Sequence, residues 1–447
     1  MIPIEINKFF SEGFSKTLLF KGRPGTGKTT FVFEILIELC PDGNCIYISP
    51  RIDKSSSYGR FPWIEGDFNS NEEFFEMLDA RVRMVQGAFD EKPLIVIDSI
   101  DALSIATTDS SNWLENKFKL ERMLIDFGNK TNADILMVTE QTDLTSLDYL
   151  VDGVISLEIS QISERDIRKV HIHKLRGVGL SQSKYLFTLQ DGRFSSFGPF
   201  AVAYPKETVV CEPIKDPIRS KISTGTADFD NILGGGYQKG SFNLFEITSG
   251  VGDSFYSLLL PTFINHLNLG RGLLSMPSEG TSVETEKSMI EPFCGEDRFK
   301  NKFVGFEIRE MNGRIPAYVE PLTGNISKDM DSILSVKREL IIQSSGAPIL
   351  DYVGLDTMEY NYGVEDIGRT IGMLASRTKI TQNVVLAVAK HGQKITESVA
   401  HMATTHWKFE NIDKTLVMYG IVPKTGLYVV EMDFEQGFPH VTLSPVK

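Results

Sequence analysis

The sequence predicts an α/β protein with two tandem domains, each a mostly parallel sheet flanked by helices. Short apolar segments such as PLIVIDSI (93–100) and ADILMVTEQ (133–141) alternate with helical stretches, which is typical of a parallel sheet covered on both faces. The alternating segments at 169–177 and 184–197 predict an antiparallel hairpin at the sheet edge. The second half repeats this order, beginning with SFNLFEITSGVGDSFYSLLLPTFI at 241–264.

The chain length and one proline-containing stretch predict the domain boundaries. A chain of 447 residues is long enough for two or three domains. Residues 201–220, AVAYPKETVVCEPIKDPIRS, contain three prolines and several charges, a composition typical of a linker. We therefore expect a first domain over 1–200, a linker over 201–221 and a second domain over 222–447.

Composition and charge narrow the functional classes. The net charge of −13 disfavours non-specific nucleic-acid binding, although a local basic patch could still bind it. The four cysteines have no C-x-x-C spacing, so neither a zinc site nor a disulfide framework is expected. The sequence has no secretory signal pattern and no apolar run near the roughly 20 residues that span a bilayer. These features predict a cytoplasmic protein without membrane segments.

Residues 22–29, GRPGTGKT, match the phosphate-loop pattern G-x-x-x-x-G-K-[ST] at every specified position. Glycines let backbone N–H groups surround a phosphate, and Lys28 is expected to contact the β- and γ-phosphates. A chance glycine-rich turn is the alternative, but an apolar strand precedes the motif and an apolar helix follows it. The predicted nucleotide-binding residues are Gly22, Arg23, Pro24, Gly25, Thr26, Gly27, Lys28, Thr29 and Thr30. The predicted ligand is ATP or a closely related nucleoside triphosphate.

A magnesium site is expected beside this loop. The Thr29 hydroxyl would bind Mg²⁺ directly. Asp98 ends the apolar strand LIVID, the Walker B arrangement, and would hold the metal through a water molecule. The alternative role for Asp98 or Ser99 is to cap the following helix.

These motifs resemble the RecA superfamily and, within it, the KaiC-like ATPases. The first half has the phosphate loop, IDSIDAL, VTEQ, DGVISLE and HKLRG in order, and STGTADFDNILGGG at 223–236 is similar to the family's T-G-x-x-x-[LF]-D-x-x-L-G-G-G domain entry. The resemblance covers nearly the whole chain and implies two RecA-like domains. The tandem layout with a GRPGTGKT loop near the N-terminus also resembles the archaeal gas-vesicle regulatory proteins called GvpD.

The resemblance to KaiC-like proteins implies assembly into homo-oligomeric rings. In that family the K-L-R segment of one subunit reaches the γ-phosphate bound by its neighbour, and the matching residues are Lys174 and Arg176. A cation there would offset charge in the transition state. The alternatives are a solvated basic stretch or a contact with nucleic acid over 165–176.

One departure from the family predicts slow ATP hydrolysis. KaiC-like ATPases carry paired glutamates after the second strand, whereas this chain has Ser49, Pro50 and Arg51. A general base must accept a proton from the attacking water, so Asp53 or Glu140 would have to substitute. The predicted catalytic residues are Lys28, Asp98, Glu140, Lys174 and Arg176.

The second phosphate loop is degenerate. Aligned on the motif, Ile247 replaces the first glycine and Asp253 replaces the lysine. A carboxylate repels phosphate, so we expect this site not to bind nucleotide. We expect the later strand to end in Asp356.

Three functions are consistent with these features. The first is an ATP-controlled regulatory switch that acts on a protein partner. The second is a recombination or DNA-repair ATPase related to RecA and RadA, and the third is a metabolic kinase. The acidic charge and the lack of an aromatic-interleaved basic patch disfavour the second, and no acceptor site is evident for the third.

Overall fold

The computed structural model describes residues 1–11, 13–49, 63–64, 70–89, 92–107, 113–308 and 315–447. The chain divides into two compact units. The first comprises Met1–Gly198 with Val446–Lys447, and the second comprises Pro199–Pro445. Within the described ranges, no helix is both long enough and apolar enough to cross a membrane.

The first unit alternates helices and strands in the predicted manner. Its described helices are α1 (Ile4–Phe10), α2 (Lys28–Leu39), α3 (Asn71–Phe89), α4 (Ile100–Ala106), α5 (Trp113–Thr131) and α6 (Ser146–Leu150). Its described strands are β1 (Thr17–Lys21), β2 (Cys45–Ile48), β3 (Trp63–Ile64), β4 (Leu94–Asp98), β5 (Asp134–Thr139), β6 (Gly153–Ile162), β7 (Arg165–Leu175), β8 (Lys184–Thr188) and β9 (Ser195–Phe197).

The strands of the first unit form one sheet. Their order over the described residues is β3-β2-β4-β5-β1-β6-β7-β8-β9. Strand β1 pairs in parallel with both β5 and β6, whereas β6 to β9 pair antiparallel. Because β1 and β4 both run parallel to β5, which lies between them, the carboxyl ends of β1 and β4 lie at the same edge of the sheet. The mixed, mostly parallel α/β fold is as predicted from the sequence.

The burial of β1 explains the apolar run Leu18–Phe20 at its centre. All five of its residues are buried. Leu18 and Phe20 join a core that contains Phe31 of α2, and Leu19 faces a second core formed partly by α3 and α5. A strand buried on both faces needs a continuous apolar run rather than an alternating one. This packing holds the loop that follows β1 against a rigid sheet.

The second unit repeats the same architecture. Its described helices are α7 (Ala227–Ile232), α8 (Tyr256–Asn268), α9 (Val283–Cys294), α10 (Glu296–Lys302), α11 (Ile326–Gln343), α12 (Leu355–Tyr362), α13 (Val364–Thr381) and α14 (Thr396–Ala400). Its described strands are β10 (Lys221–Ile222), β11 (Tyr237–Gln238), β12 (Phe242–Ile247), β13 (Leu273–Met276), β14 (Phe303–Ile308), β15 (Val319–Leu322), β16 (Leu350–Gly354), β17 (Val384–Lys390), β18 (Thr405–Ile412), β19 (Thr415–Val422), β20 (Leu427–Asp433) and β21 (His440–Pro445).

The main sheet of the second unit has the order β15-β14-β13-β16-β17-β12-β18-β19-β20-β21 in the described chain. The run β13-β16-β17-β12-β18-β19-β20 corresponds to β2-β4-β5-β1-β6-β7-β8 of the first unit, so the two halves share one topology. Residues 199–220 are counted with this unit. Their contacts include a bond from the Ile214 amide to Asn265 Oδ1 of 2.7 Å and an ion pair between Asp216 and Arg271 of 2.7 Å.

The core of the second unit contains a buried carboxyl group, Glu286. Its side chain is fully buried in α9 and accepts hydrogen bonds from Tyr256 Oη at 3.1 Å and Ser275 Oγ at 2.5 Å. Burial raises the pKa of Glu286 to about 7. The folded protein therefore keeps a proton at pH values where the unfolded chain has lost it. By linkage, stability conferred by the neutral acid is lost as the pH rises from about 4.5 to about 7.

Replacing Glu286 by glutamine is expected to remove this pH dependence, because the amide stays neutral. The wild-type second unit should lose about 3 kcal/mol of unfolding free energy between pH 4.5 and 8 from this group, at about 1.4 kcal/mol per pKa unit. Urea unfolding at both pH values measures it, with the partly exposed Glu284 of the same helix, changed to glutamine, as the matched control. Equal pH dependence in wild type and Glu286→Gln would contradict the prediction.

Candidate functional site

The phosphate loop joins β1 to α2 at the carboxyl edge of the first sheet. Gly27 has φ of 98°, in the left-handed region, and a Cβ atom there would lie 2.7 Å from Leu189 Cδ1. A Cβ atom on Gly22 would lie 2.8 Å from the backbone oxygen of Leu157. Glycine is therefore required at both motif positions by conformation and by space. Helix α2 begins at Lys28, which directs its amino terminus toward the loop.

Lys28 is held inside the loop. Its ammonium group donates hydrogen bonds to the backbone oxygens of Gly22 at 2.7 Å and Arg23 at 3.0 Å, and its side chain is only 8% exposed. These contacts hold the positive charge over the loop, where phosphate oxygens can compete for its donors. The predicted role of Lys28 in contacting the β- and γ-phosphates fits this geometry.

The structure brings the two predicted metal ligands together. Thr29 Oγ1 donates a hydrogen bond to Asp98 Oδ2 at 2.7 Å. Asp98 is the last residue of β4, and Ser99 rather than Asp98 caps α4, accepting a bond from the Ala102 amide. A hydroxyl and a carboxylate are the hard oxygen donors that Mg²⁺ prefers. The residues present therefore fit a magnesium ion bound between loop and strand.

Glu140 lies directly after β5, at the same sheet edge. Its backbone amide donates to Asp101 Oδ2 at 2.9 Å, and Thr139 Oγ1 donates to the same oxygen at 2.8 Å. Burial alone would raise the pKa of Asp101, but hydrogen bonds from Lys117, Glu140 and Thr139 outweigh it and hold the pKa below its usual range. Asp101 thus fixes the backbone that carries Glu140. The other proposed base, Asp53, lies outside the described residues, as do Pro50 and Arg51.

Lys174 lies near the end of β7, and Arg176 follows that strand. Lys174 pairs with Val154 of β6, level with Leu19 in the middle of β1. Its ammonium donates to the Asp148 backbone oxygen at 2.7 Å, and Arg176 forms an ion pair with Asp152 at 3.2 Å.

Both cations line a cavity of about 1040 Å³ whose walls also include part of the phosphate loop. Burial and the neighbouring Arg176 charge lower the pKa of Lys174. The structure therefore groups Lys28, Thr29 and Asp98, and places Lys174 and Arg176 in a cavity that also borders the phosphate loop.

Two contacts near the phosphate loop could not be predicted from the sequence motifs. Arg168 of β7 donates to the backbone oxygens of Gly25 at 3.2 Å and Thr26 at 3.4 Å, which ties the antiparallel edge to the loop. Lys21, the residue before the loop, is 4% exposed and pairs with Asp148 of α6 at 2.7 Å. In the sequence, the only indication of a role for Lys21 was its charge at the end of an apolar strand. For Arg168, the only indication was its place in a basic stretch.

The degenerate loop of the second unit contains an internal ion pair. Asp253 lies in a 3₁₀ turn before α8. Lys390, at the end of β17, lies 4.0 Å from Asp253 Oδ1 and 3.4 Å from Asp356 Oδ2, and donates to the Glu279 backbone oxygen at 2.5 Å. By register, Lys390 corresponds to Glu140. The first unit has a lysine in the loop, Lys28, and an acid after β5, Glu140. The second unit has the reverse, with Asp253 in the loop and Lys390 at the end of β17.

The expected position of Asp356 was wrong. Strand β16 ends at Gly354, and Asp356 lies in the first turn of α12. Gly354 pairs with Val388 as Asp98 pairs with Val138, so glycine occupies the register position of the first unit's aspartate. The spacing between the strand and its helix differs by one residue between the units, which motif alignment did not reveal.

The fold and the site together define a tandem P-loop protein with one complete phosphate loop. Residues 6–74 match the family model described as GvpD gas vesicle protein, P-loop domain. The chain is 24% identical over 489 residues to protein GvpD2 of Halobacterium salinarum, covering 99% of this chain and 96% of that protein. It is also 24% identical over 530 residues to protein GvpD1 of the same organism, with the same coverage.

The first unit therefore contains a segment similar to the GvpD P-loop domain. The similarity to GvpD2 and GvpD1 extends over both units, in agreement with the resemblance inferred from the tandem layout. The KaiC-like character and the ring assembly that it implies stay predictions.

Proposed function

We propose that the protein is a regulatory ATPase that binds Mg²⁺–ATP in its first unit and acts as a nucleotide-controlled switch for a protein partner. The meeting of Lys28, Thr29 and Asp98 at one sheet edge carries the proposal. In the second unit, Asp253 occupies the position of the loop lysine and lies 4.0 Å from Lys390. A chain with one complete and one degenerate loop is better suited to sensing nucleotide than to processing a metabolite.

Each residue at the complete loop has a defined task. Lys28 binds the phosphates, and Thr29 and Asp98 hold the magnesium ion, which neutralises phosphate charge when bound. Arg168 holds the loop backbone from the antiparallel edge. Of the two candidate bases, Glu140 lies within the described residues. Asp101 fixes the Glu140 backbone beside Asp98, so Glu140 is the candidate for orienting the attacking water.

Hydrogen exchange with and without Mg²⁺–ATP tests the switch. A switch requires ATP to favour one arrangement by binding it more tightly. Protection should therefore change in peptides from 222–447 as well as in 22–30, and the changes should vanish in Lys28→Ala protein. Protection confined to the loop and its neighbours would overturn the switch, leaving an ATP-binding protein with a structural second unit.

ATP turnover is expected to be slow and to depend on assembly. The glutamate pair is absent at 49–51, so turnover should fall well below the enzyme median of about 10 s⁻¹. In their own chain Lys174 and Arg176 contact Asp148 and Asp152. Their proposed role at a neighbouring subunit's nucleotide rests on the resemblance to KaiC-like proteins and on a head-to-tail assembly.

Mixing Lys28→Ala chains with Arg176→Ala chains tests the shared site. In a head-to-tail assembly, the first variant would supply Arg176 to the intact loop of the second. Phosphate release from the mixture should therefore exceed the mean of the two separate variants. Activity equal to that mean, or wild-type activity from monomers, would contradict the prediction.

A further inference from the structure

The metal-binding edge of the first unit includes a tyrosine that belongs to neither sequence motif. Tyr47 Oη lies 2.9 Å from Asp98 Oδ2, the same oxygen that accepts the Thr29 hydroxyl. Tyr47 is fully buried in β2, which pairs with β4. Its hydroxyl thus reaches the predicted metal ligand from the neighbouring strand.

The aromatic ring is fixed as firmly as the hydroxyl. It stacks on Phe33 of α2, with ring centroids 4.9 Å apart and an angle of 23° between the planes. Phe33 lies five residues after Lys28 in the helix that begins at the phosphate loop. The ring therefore connects that helix to the strand carrying Asp98, and packing restricts where the hydroxyl can point.

Two donors on one carboxylate oxygen restrict the rotation of the Asp98 side chain. A carboxylate that holds a metal through water must present its oxygens in a defined direction. Outer-shell partners supply such orientation at metal sites, and their loss typically weakens metal binding roughly 10- to 100-fold. The Tyr47 hydroxyl is engaged with Asp98 in this arrangement.

We propose that Tyr47 is a positioning residue for magnesium: its hydroxyl orients Asp98 for the metal that accompanies the nucleotide. The inference rests on the proposed function of the first unit. It predicts that Tyr47 affects only the metal-dependent part of ATP binding. A purely structural tyrosine would instead act through its ring, which phenylalanine retains.

Calorimetric titration of ATP over a series of Mg²⁺ concentrations, and in EDTA, tests the proposal. Tyr47→Phe should raise the Mg²⁺ concentration needed for half-maximal binding roughly 10-fold or more, while the ATP affinity in EDTA stays at the wild-type value. Mn²⁺ binding in the presence of ATP, followed by electron paramagnetic resonance, should shift in the same direction. Tyr185→Phe is the matched control, since Tyr185 is buried and bonds to Glu5 at 2.7 Å, remote from Asp98 in the first unit.

A double variant separates an action through Asp98 from an independent one. Asp98→Asn should raise the Mg²⁺ requirement, and adding Tyr47→Phe should raise it no further, because coupled residues are non-additive. An unchanged Mg²⁺ requirement in Tyr47→Phe, or additive effects in the double variant, would overturn the inference. Wild-type protein that binds no ATP under either condition would overturn the proposed function, and the inference with it. If Tyr47→Phe changed only the ATP affinity measured in EDTA, Tyr47 would support the structure of the loop, and its proposed metal role would be overturned.

Discussion

Lys28→Ala protein is expected to bind Mg²⁺–ATP roughly 100-fold more weakly than wild type. Charged hydrogen bonds to the β- and γ-phosphates are lost, and their combined contribution is about 3 kcal/mol, which corresponds to that change in Kd. The wild type should bind one ATP per chain, since the second loop has Asp253 in place of the lysine.

Isothermal titration calorimetry measures both the affinity and the stoichiometry. Lys8→Ala is the matched control, because Lys8 is exposed in α1 and should leave binding unchanged. Thermal melting of each variant shows whether loss of the Lys28 contacts to the loop backbone affects folding. Two equivalent sites per chain, or unchanged affinity in folded Lys28→Ala protein, would refute the prediction.

Replacing Lys21 by methionine is expected to destabilise the first unit by about 3–5 kcal/mol, the usual cost of removing one partner of a buried ion pair. Lys21 and Asp148 are 4% and 7% exposed, and the ammonium contacts both carboxylate oxygens, at 2.7 and 2.9 Å. Without the lysine, the Asp148 charge stays buried beneath the start of the phosphate loop.

The same pair makes a pH-dependent contribution to stability. Burial alone would raise the pKa of Asp148, but hydrogen bonds from Lys21 and Thr145 outweigh it and hold the pKa below its usual value. The stabilisation is therefore complete above the unfolded pKa of about 3.9 and is lost as the pH falls through the lower folded pKa. The difference between wild type and Lys21→Met should shrink in that acidic range.

Urea unfolding at neutral and acidic pH checks this effect. Arg83→Met is the matched control, since the Arg83–Asp79 pair is 77% and 37% exposed and such surface pairs contribute about 0.5 kcal/mol or less. If Lys21→Met were no more destabilising than Arg83→Met at neutral pH, the buried pair would not stabilise the unit.

The parts of the site that could be predicted from the sequence are those encoded by contiguous residues. The loop at 22–29 has a fixed spacing because one backbone turn must surround one phosphate, and Asp98 follows an apolar strand. Tyr47 and Asp101 had no such signature. The role of Tyr47 depends on the pairing of β2 with β4, and the role of Asp101 depends on β5 ending beside α4. Both are features of the tertiary structure that a local motif does not encode.

The second unit shows a different limit. The loss of the lysine at Asp253 is visible in the motif, but the compensating Lys390 lies 137 residues later and is revealed only by the register of β12 with β17. The position of Asp356 was mistaken for a related reason. Asp356 lies two residues after Gly354, the register equivalent of Asp98, and therefore falls in the first turn of α12 rather than at the sheet edge.

The exchange of charges between Asp253 and Lys390 makes the degenerate loop hard to reverse in evolution. A lone change of Asp253 to lysine would replace its attraction to Lys390 by repulsion between two ammonium groups. Removal of Lys390 alone would leave Asp253 and Asp356 without the cation between them. Either single substitution is therefore unfavourable by itself. Restoring the phosphate-loop motif and the aspartate after the strand would also require changes at Ile247 and Gly354. Engineered nucleotide binding in the second half would therefore need several substitutions introduced together.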